Sequence, residues 1–485
     1  MSVPGVYLIV HAWGAGLSRI QRVYASSRTL DLLGSSLLLV LAVVVVAGTL
    51  GTVSAFLVER TDIPWRRAWR VLLTMPLAMP SYVAAYAWVS TVRAQGLGWA
   101  VLILGVGTSP YVFLSVSAAL RRISQNTEDV ARSLGMGRGE VLRRVTLPAL
   151  RPSLAAGSLL VALYTLSDFG AVSLLRFDSF TRAIFMSYRA SFDRTEAAVL
   201  SLLLMVVTLA ITGGELRARG RFTRAQAIAQ RPAVPWSLGR GRIPALMLLG
   251  GVVGVGLAYP VAVIVGWILR GRTRGIDLPD LASAAWVTLW LCFLAALVIT
   301  LVCLPAGWLA ARRTGPLIGA VQQTLYIAHA LPGLVVALSL VFLATRYLRP
   351  IYHQPPLLIL AYLVLFAPLA VGAIRTAISQ SPPALEEVAA TLGDGPLRVF
   401  RRVTLPLAAP GVVTAFLLVM LTAMKELPAT LLLRPARTET LATRLWMNTD
   451  ELAYAAAAPY GLVLVLLATV PTVVLTAVQQ KGSPA

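Results

Sequence analysis

Two carboxylates stand where carboxylates are costly. Asp168 lies in "LYTLSDFGAVSLLRF" (163–177) and Glu426 in "LTAMKELPATLLLRP" (421–435), 258 positions apart, as are Arg176 and Arg434. Both stretches are apolar enough to run through a membrane, where an acid needs a partner or water. At 1.5 Å per residue, Asp168 falls about 20 Å along its helix. One chemistry is a symmetric pair of carboxylates near the outer part of a passage, attracting a cation. The other is structural: each acid pairs with a nearby arginine, or Glu426 with Lys425, and fixes a helix break. Gly170 and Pro428, two residues beyond each acid, favour a helix end there. Both readings stay open at this level.

Other chemistries find little purchase. There is no His-Glu-x-x-His zinc motif and no catalytic pair of aspartates at a plausible spacing. Cys292 and Cys303 share one apolar run, and His11, His329 and His353 are scattered. Neither a disulfide framework nor a transition-metal cage follows from that arrangement. "GMGRGE" (135–140) lacks the preceding strand and the Gly-Lys-Ser/Thr ending of a phosphate loop. Neither lysine, Lys425 or Lys481, sits in such a context. No catalytic residue and no bound cofactor or metal is expected of this chain. "GVGLAY" (254–259) supplies small residues for close helix packing.

The same 258-residue displacement recurs in a polar stretch. "EDVARSLGMGRGEVLRRVTLPALRPS" (128–153) returns as "EEVAATLGDGPLRVFRRVTLPLAAPG" (386–411) without a gap. Each copy reads as two short amphipathic helices. Ser124 or Asn126 can cap the first helix of copy one, ahead of the acidic Glu128 and Asp129. Ser381 is the cap in copy two, with Pro382 at the first helical position. Gly135 and Gly393 end these helices in the left-handed conformation. A second helix follows and is expected to stop before Pro148 and Pro406. Val130 with Leu134 and Val141 with Val145 stand four apart, as do Val388 with Leu392 and Val399 with Val403. Such stripes need a groove on a partner or the membrane interface to cover them.

The elements carrying these motifs are membrane spans. Of 485 residues, 58% are hydrophobic and only 13% charged. The mean hydropathy is +0.78, so the chain reads as an all-α polytopic membrane protein. Spans are expected near 33–57, 68–92, 99–120, 154–175, 196–215, 244–270, 282–310, 319–345, 357–376, 411–432 and 456–478. "PGVYLIVHAW" (4–13) resembles "PVAVIVGWIL" (260–269) and reads as a truncated first helix or an interfacial segment. The organisation is then a first repeat over 1–215, a basic cytoplasmic linker over 216–243 and a second repeat over 244–485. The net charge of +22 rests on arginines in short connections, the mark of cytoplasmic loops rather than of a nucleic-acid surface. "VERTDIPWRR" (58–67), "AARRTG" (310–315) and both polar copies then fall on the cytoplasmic side. An even number of crossings separates the copies, which makes the repeats parallel.

Those copies resemble a family signature: Glu-Ala-Ala, three residues, Gly, nine residues, Ile, one residue, Leu-Pro, found in permease subunits of binding-protein-dependent ABC importers. It stands here as Asp129-Val130-Ala131, Gly135, Val145, Leu147-Pro148 and as Glu387-Val388-Ala389, Gly393, Val403, Leu405-Pro406. The departures are conservative: Val for the first Ala, Val for Ile and, in copy one, Asp for Glu. The resemblance implies a type I importer permease fold of two six-helix repeats in a prokaryotic inner membrane. It also implies that 124–153 and 382–411 are coupling loops docking a separate ATPase dimer, which holds ATP and Mg, and that an extracytoplasmic binding protein delivers the substrate. Glu128, Leu134, Glu386 and Leu392 belong to the same expected coupling surface. "PLAMPSYVAAYAW" (76–88), "SDFGAVSLLRFDSFTRAIF" (167–185) and "KELPATLLLRP…TLATRLW" (425–446) are similar to fused permeases of ferric iron importers. Relatives for thiamine, phosphonate, sulfate or polyamine share that scaffold. A more distant alternative is an ion-coupled secondary transporter using Asp168 and Glu426 as relay carboxylates.

Overall fold

The computed structural model describes residues 6, 10, 16–123, 125–190, 195–219, 235–271, 277–313, 315–329 and 331–481. Among them every regular element is a helix, apart from one isolated parallel bridge between Thr61 and Trp236. Nine of the described helices are long and apolar enough to cross a membrane. The number is ten if the bent pair Arg66–Ala78 and Ser81–Val92 counts as one span. Four segments of the expected organisation, Ser124, most of 4–13, 220–234 of the linker and 272–276, lie outside the described residues.

Four expected spans are interrupted, each for a local reason. The 68–92 segment turns by 83° between its halves, because Pro80 sits extended as N-cap to Ser81–Val92 and a proline ring disfavours helix before it. The 319–345 segment divides into Pro316–His329 and Gly333–Tyr347, with Pro332 as the extended N-cap. The 154–175 segment stops at Ser167, and a short helix restarts over Gly170–Leu174. Its counterpart 411–432 stops at Lys425 and restarts over Pro428–Leu433. Here the acids are the cause, as described below.

Two compact units are present. The first holds 16–271 with 449–458, the second 1–15, 272–448 and 459–485. The helix running through 242–270 therefore packs within the first unit, although its sequence opens the second repeat.

In the first unit, Ser27–Arg60, Leu97–Arg122 and Leu147–Ser167 bury Leu39, Val43, Leu104, Val112, Val116, Leu120 and Val161 in one core. The backbones come close because small residues line the crossings: a Cβ on Gly51 would lie 2.7 Å from Ser109 O and from Val112 Cβ. Close backbone approach through small residues is how helices associate where lipid removes the hydrophobic drive. In the second unit Gly307 lets Leu278–Arg312 meet Ile374, and Gly411 lets Leu405–Lys425 meet Ala377. Lipid would cover the exposed Trp286, Trp290 and Leu301 along Leu278–Arg312.

Candidate functional site

Both polar copies fold as helix, left-handed turn and second helix. In copy one Gln125–Ser133 ends at Gly135 with φ 86°. The Met136 N–H donates to Ala131 O at 3.2 Å and the Gly135 N–H to Arg132 O at 2.9 Å. In copy two Pro383–Thr391 ends at Gly393 with φ 92°. The Asp394 and Gly393 N–H groups close the same pair of bonds onto Ala389 O and Ala390 O, both at 3.1 Å. This double-bonded cap requires positive φ, which explains the glycines. The N-terminal end differs from expectation. Pro382 is the N-cap and Pro383 the first helical residue, while Ser381 Oγ is buried with no hydrogen-bond partner among the described residues.

The second helices do not stop before Pro148 and Pro406. Arg138–Val141 continues through a π-turn over Leu142–Thr146 into Leu147–Ser167, and Pro396–Val399 through Phe400–Thr404 into Leu405–Lys425. A π-turn widens the helix by one residue, which relieves the clash a proline ring makes with the carbonyl of the previous turn. Each copy thus stands at the base of a helical rod, Arg138–Ser167 or Pro396–Lys425, of 30 residues, or about 45 Å.

The expected apolar stripe splits into two faces. Val130 and Leu134 are 60% and 74% exposed, and Val388 and Leu392 are 55% and 82% exposed. Leu397 joins that outward face, whereas Ala131, Val141, Ala389 and Val399 turn inward and are buried. Val145, Pro148, Val403 and Leu405 are half-buried, and Leu147 and Pro406 are exposed. Asp129, 3.9 Å from Arg132, and Glu387 lie exposed beside the outward face.

Glu128 and Glu386 belong to the inward side instead. Arg60 Nη2 lies 3.4 Å from Glu128 Oε1, with side chains 3% and 6% exposed. The Thr146 hydroxyl donates to the same oxygen at 3.2 Å. Arg60 Nη2 also donates to Leu120 O and Ile123 O at 3.1 and 3.4 Å. In copy two Arg312 donates to Glu386 Oε1 from Nε at 3.1 Å and Nη2 at 2.8 Å. Thr404 donates to that oxygen at 2.9 Å, and Arg312 Nη2 to Ser381 O at 3.0 Å. Each Arg-Glu-Thr clamp ties the helix of the polar motif to the end of one span and the base of another. Removing one partner of the buried Arg60–Glu128 pair costs about 3–5 kcal/mol, and less for the half-buried Arg312–Glu386 pair.

At the far end of each rod sits an acid. Asp168 Oδ1 accepts from the Ala171 and Val172 N–H groups at 3.0 and 3.2 Å, and Oδ2 accepts from the Ser81 hydroxyl. Asp168 therefore caps Gly170–Leu174 while bonding the first residue of Ser81–Val92. Glu426 Oε1 accepts from the Ala429 N–H at 3.2 Å, capping Pro428–Leu433. Its carboxylate lies against Gly333, the first residue of Gly333–Tyr347, where any side chain would collide with Oε1. The repeats thus exchange Asp with Ser for Glu with Gly. A longer acid fills the space left by a missing side chain. Carboxylates at helix N-termini satisfy orphan amides and complement the dipole. Asp168 is therefore held by a hydroxyl and two amides rather than by an arginine, and Arg434 pairs with Glu439. Among the described residues no group of three or more metal-ligating side chains occurs.

Arg60 and Arg312 escape a reading by motif because they stand 252 apart rather than 258. They lie in the basic stretches "VERTD" and "AARRTG", which carry a topological signal that masks their individual contacts. Pro80 and Pro332 share the 252 displacement, a second clue that the break positions are duplicated too.

The family model of binding-protein-dependent transport system inner membrane components matches residues 47–214 and 303–482, one segment in each repeat. The Fe(3+)-transport system permease protein FbpB 2 of Haemophilus influenzae is 34% identical over 481 residues, 98% of this chain and 95% of that one. The probable ABC transporter permease protein y4fN of Sinorhizobium fredii is 29% identical, covering 61% of this chain and 57% of that one. The sulfate transport system permease protein CysW of Escherichia coli is 27% identical, covering 36% of this chain and 65% of that one. With two copies of the loop signature, two rods and two segments matching one model, the chain belongs to the family of binding-protein-dependent transport system inner membrane components, as a fused, two-repeat, multi-pass ABC permease.

Proposed function

We propose that this permease imports ferric iron, received from an extracytoplasmic binding protein, with energy from a separate ATPase dimer that grips the two coupling loops. End-to-end likeness to the Haemophilus iron permease carries the choice of substrate. The sulfate relative matches only 36% of the chain. Iron is cargo here, ATP and Mg belong to the partner, and the chain itself holds no cofactor.

The docking surface is the outward face: Val130, Leu134, Val388 and Leu392, flanked by Asp129 and Glu387. Glu128 and Glu386 support it from behind. Movement of a coupling helix reaches the membrane through the rod it adjoins. Asp168 and Glu426 are assigned to holding the helix breaks at the far ends, a role supported by their bonds to Ala171, Val172 and Ala429.

Proteoliposome uptake tests the proposal, with the permease assembled with its ATPase and candidate binding proteins. Ferric iron should enter only with ATP and the binding protein present. Uptake of thiamine, phosphonate, sulfate or polyamine in its place would remove iron as the substrate. Uptake driven by an ion gradient without the ATPase would remove the ATP-driven reading and favour a secondary transporter.

A further inference from the structure

The outward faces explain grip but not transmission. A helix of nine residues such as Gln125–Ser133 or Pro383–Thr391 has too few turns to be rigid on its own. Something must make it move with the spans. The two clamps are the groups so placed. Glu128 sits on the first coupling helix, Thr146 at the end of the π-turn within the first rod and Arg60 at the end of Ser27–Arg60. Glu386, Thr404 and Arg312 repeat that placement in the second unit.

We propose that Arg60, Glu128 and Thr146, with Arg312, Glu386 and Thr404, are positioning residues that make each coupling helix move as one body with the rod behind it. The inference rests on the docking reading above and adds how force enters the spans.

The clamps are not equal. Arg312 presents two N–H groups to Glu386 Oε1 at 3.1 and 2.8 Å. Arg60 reaches Glu128 with one nitrogen at 3.4 Å, and its Nε and Nη1 are buried without a partner among the described residues. The first clamp has a brace instead. Residues in the last part of the linker return to the end of its span: the Trp236 N–H donates to Arg60 O at 2.7 Å and the Asp62 N–H to Trp236 O at 3.0 Å. The Trp236 ring meets Phe56 edge-on at 5.3 Å. Asp62 Oδ1 accepts from the Leu238 N–H at 2.9 Å, and Oδ2 from Arg242 Nη2 at 3.0 Å. The chain joining the repeats is thereby seated on the main chain of the residue that holds coupling helix one. The second clamp relies on its own ion pair, so the Arg312 side chain matters more than that of Arg60.

The test uses the full permease with ATPase and binding protein, reading iron taken up per ATP hydrolysed. Arg312→Met should lower that ratio by about tenfold or more while the ATPase still co-purifies, and Arg60→Met should lower it less. Thr404→Val, which keeps the shape and removes only the hydroxyl, should lower the ratio several-fold. Thr404→Ser should restore it, a rescue that a general loss of packing would not give. If Arg312→Met fails to fold, the apolar pair Arg312→Met with Glu386→Met leaves no buried charge alone and should show the same uncoupling. Trypsin acting on the isolated permease gives a readout independent of any ATPase. Cleavage at Arg398, Arg401 and Arg402 should quicken about tenfold in the Arg312 and Thr404→Val variants. A ratio within twofold of native in Arg312→Met and Thr404→Val overturns the proposal and leaves docking intact. ATPase lost outright from variants with intact spans also overturns it. A native permease that never holds the ATPase sinks the docking reading, and the trypsin arm alone then decides whether the clamps position these helices.

Discussion

Truncating Leu134 and Leu392 to alanine separates the cost of folding from the cost of assembly. In the chain alone these side chains are 74% and 82% exposed. Their loss should change permease stability by no more than about 0.5 kcal/mol, as for ordinary surface positions. If each is covered by an ATPase subunit, truncation removes apolar carbon worth about 2 kcal/mol from the assembled state. That is about thirtyfold in affinity for each site, at roughly 1.4 kcal/mol per tenfold. The sites lie on separate coupling helices, so the double variant should lose on the order of a thousandfold. Permease in nanodiscs, titrated with labelled ATPase, gives the affinity, and thermal unfolding of the same samples gives the stability. Affinity of the double variant within threefold of native, with unchanged unfolding, would refute the reasoning. So would a fall in Tm matching the loss of binding, because the leucines would then be serving the fold.

Three further perturbations test other parts of the account. Gly135→Val with Gly393→Val finds open space around each new side chain but forces a β-branched residue to positive φ. The cost should be about 1–2 kcal/mol per site, read as lost ATPase co-purification from permeases whose spans stay inserted. Gly51→Val instead drives a side chain into Ser109 O and Val112, and should destabilise the first unit by about 1–3 kcal/mol, seen as a lower Tm in detergent. The Leu238 amide, with Arg242 beside it, holds the Asp62 carboxyl below the usual carboxylate range. A carboxyl depressed by folding contributes stability above its unfolded pKa of about 4 and loses it as pH falls through the folded value. The 235–242 brace should therefore keep the Trp236 and Leu238 amides protected from hydrogen exchange at neutral pH and open only in acid, a dependence that Asp62→Asn should abolish.

Periodicity and composition made the spans legible, because long apolar runs have few alternatives in a bilayer. The duplicated loop was legible in detail, down to the left-handed turns at Gly135 and Gly393, because that turn has a strong residue preference. The faces of the loop were not. Val130 and Val141 both recur at helical spacing, yet one points out and the other in, since the turn between the two helices rotates the second relative to the first. The π-turns were hidden too, because Pro148 and Pro406 look like stops when the turn that accommodates them leaves no residue signature. Asp168 and Glu426 stood out as acids in apolar runs, but Asp168 takes two backbone amides and a hydroxyl and Glu426 takes the Ala429 amide, donors that a search for complementary charges passes over. Arg60 and Arg312 were concealed by the small insertion that shifts their displacement from 258 to 252.

The most direct test of the central claim is site-specific photo-crosslinking from positions 134 and 392 in the assembled transporter. Cys292 and Cys303 are both buried, so a thiol-linked probe at an introduced cysteine reports only its own position. The account predicts that both probes attach to the ATPase, one per subunit, with the yield changing through the nucleotide cycle. Probes that label only lipid, or no protein at all, in a complex that still transports would contradict it.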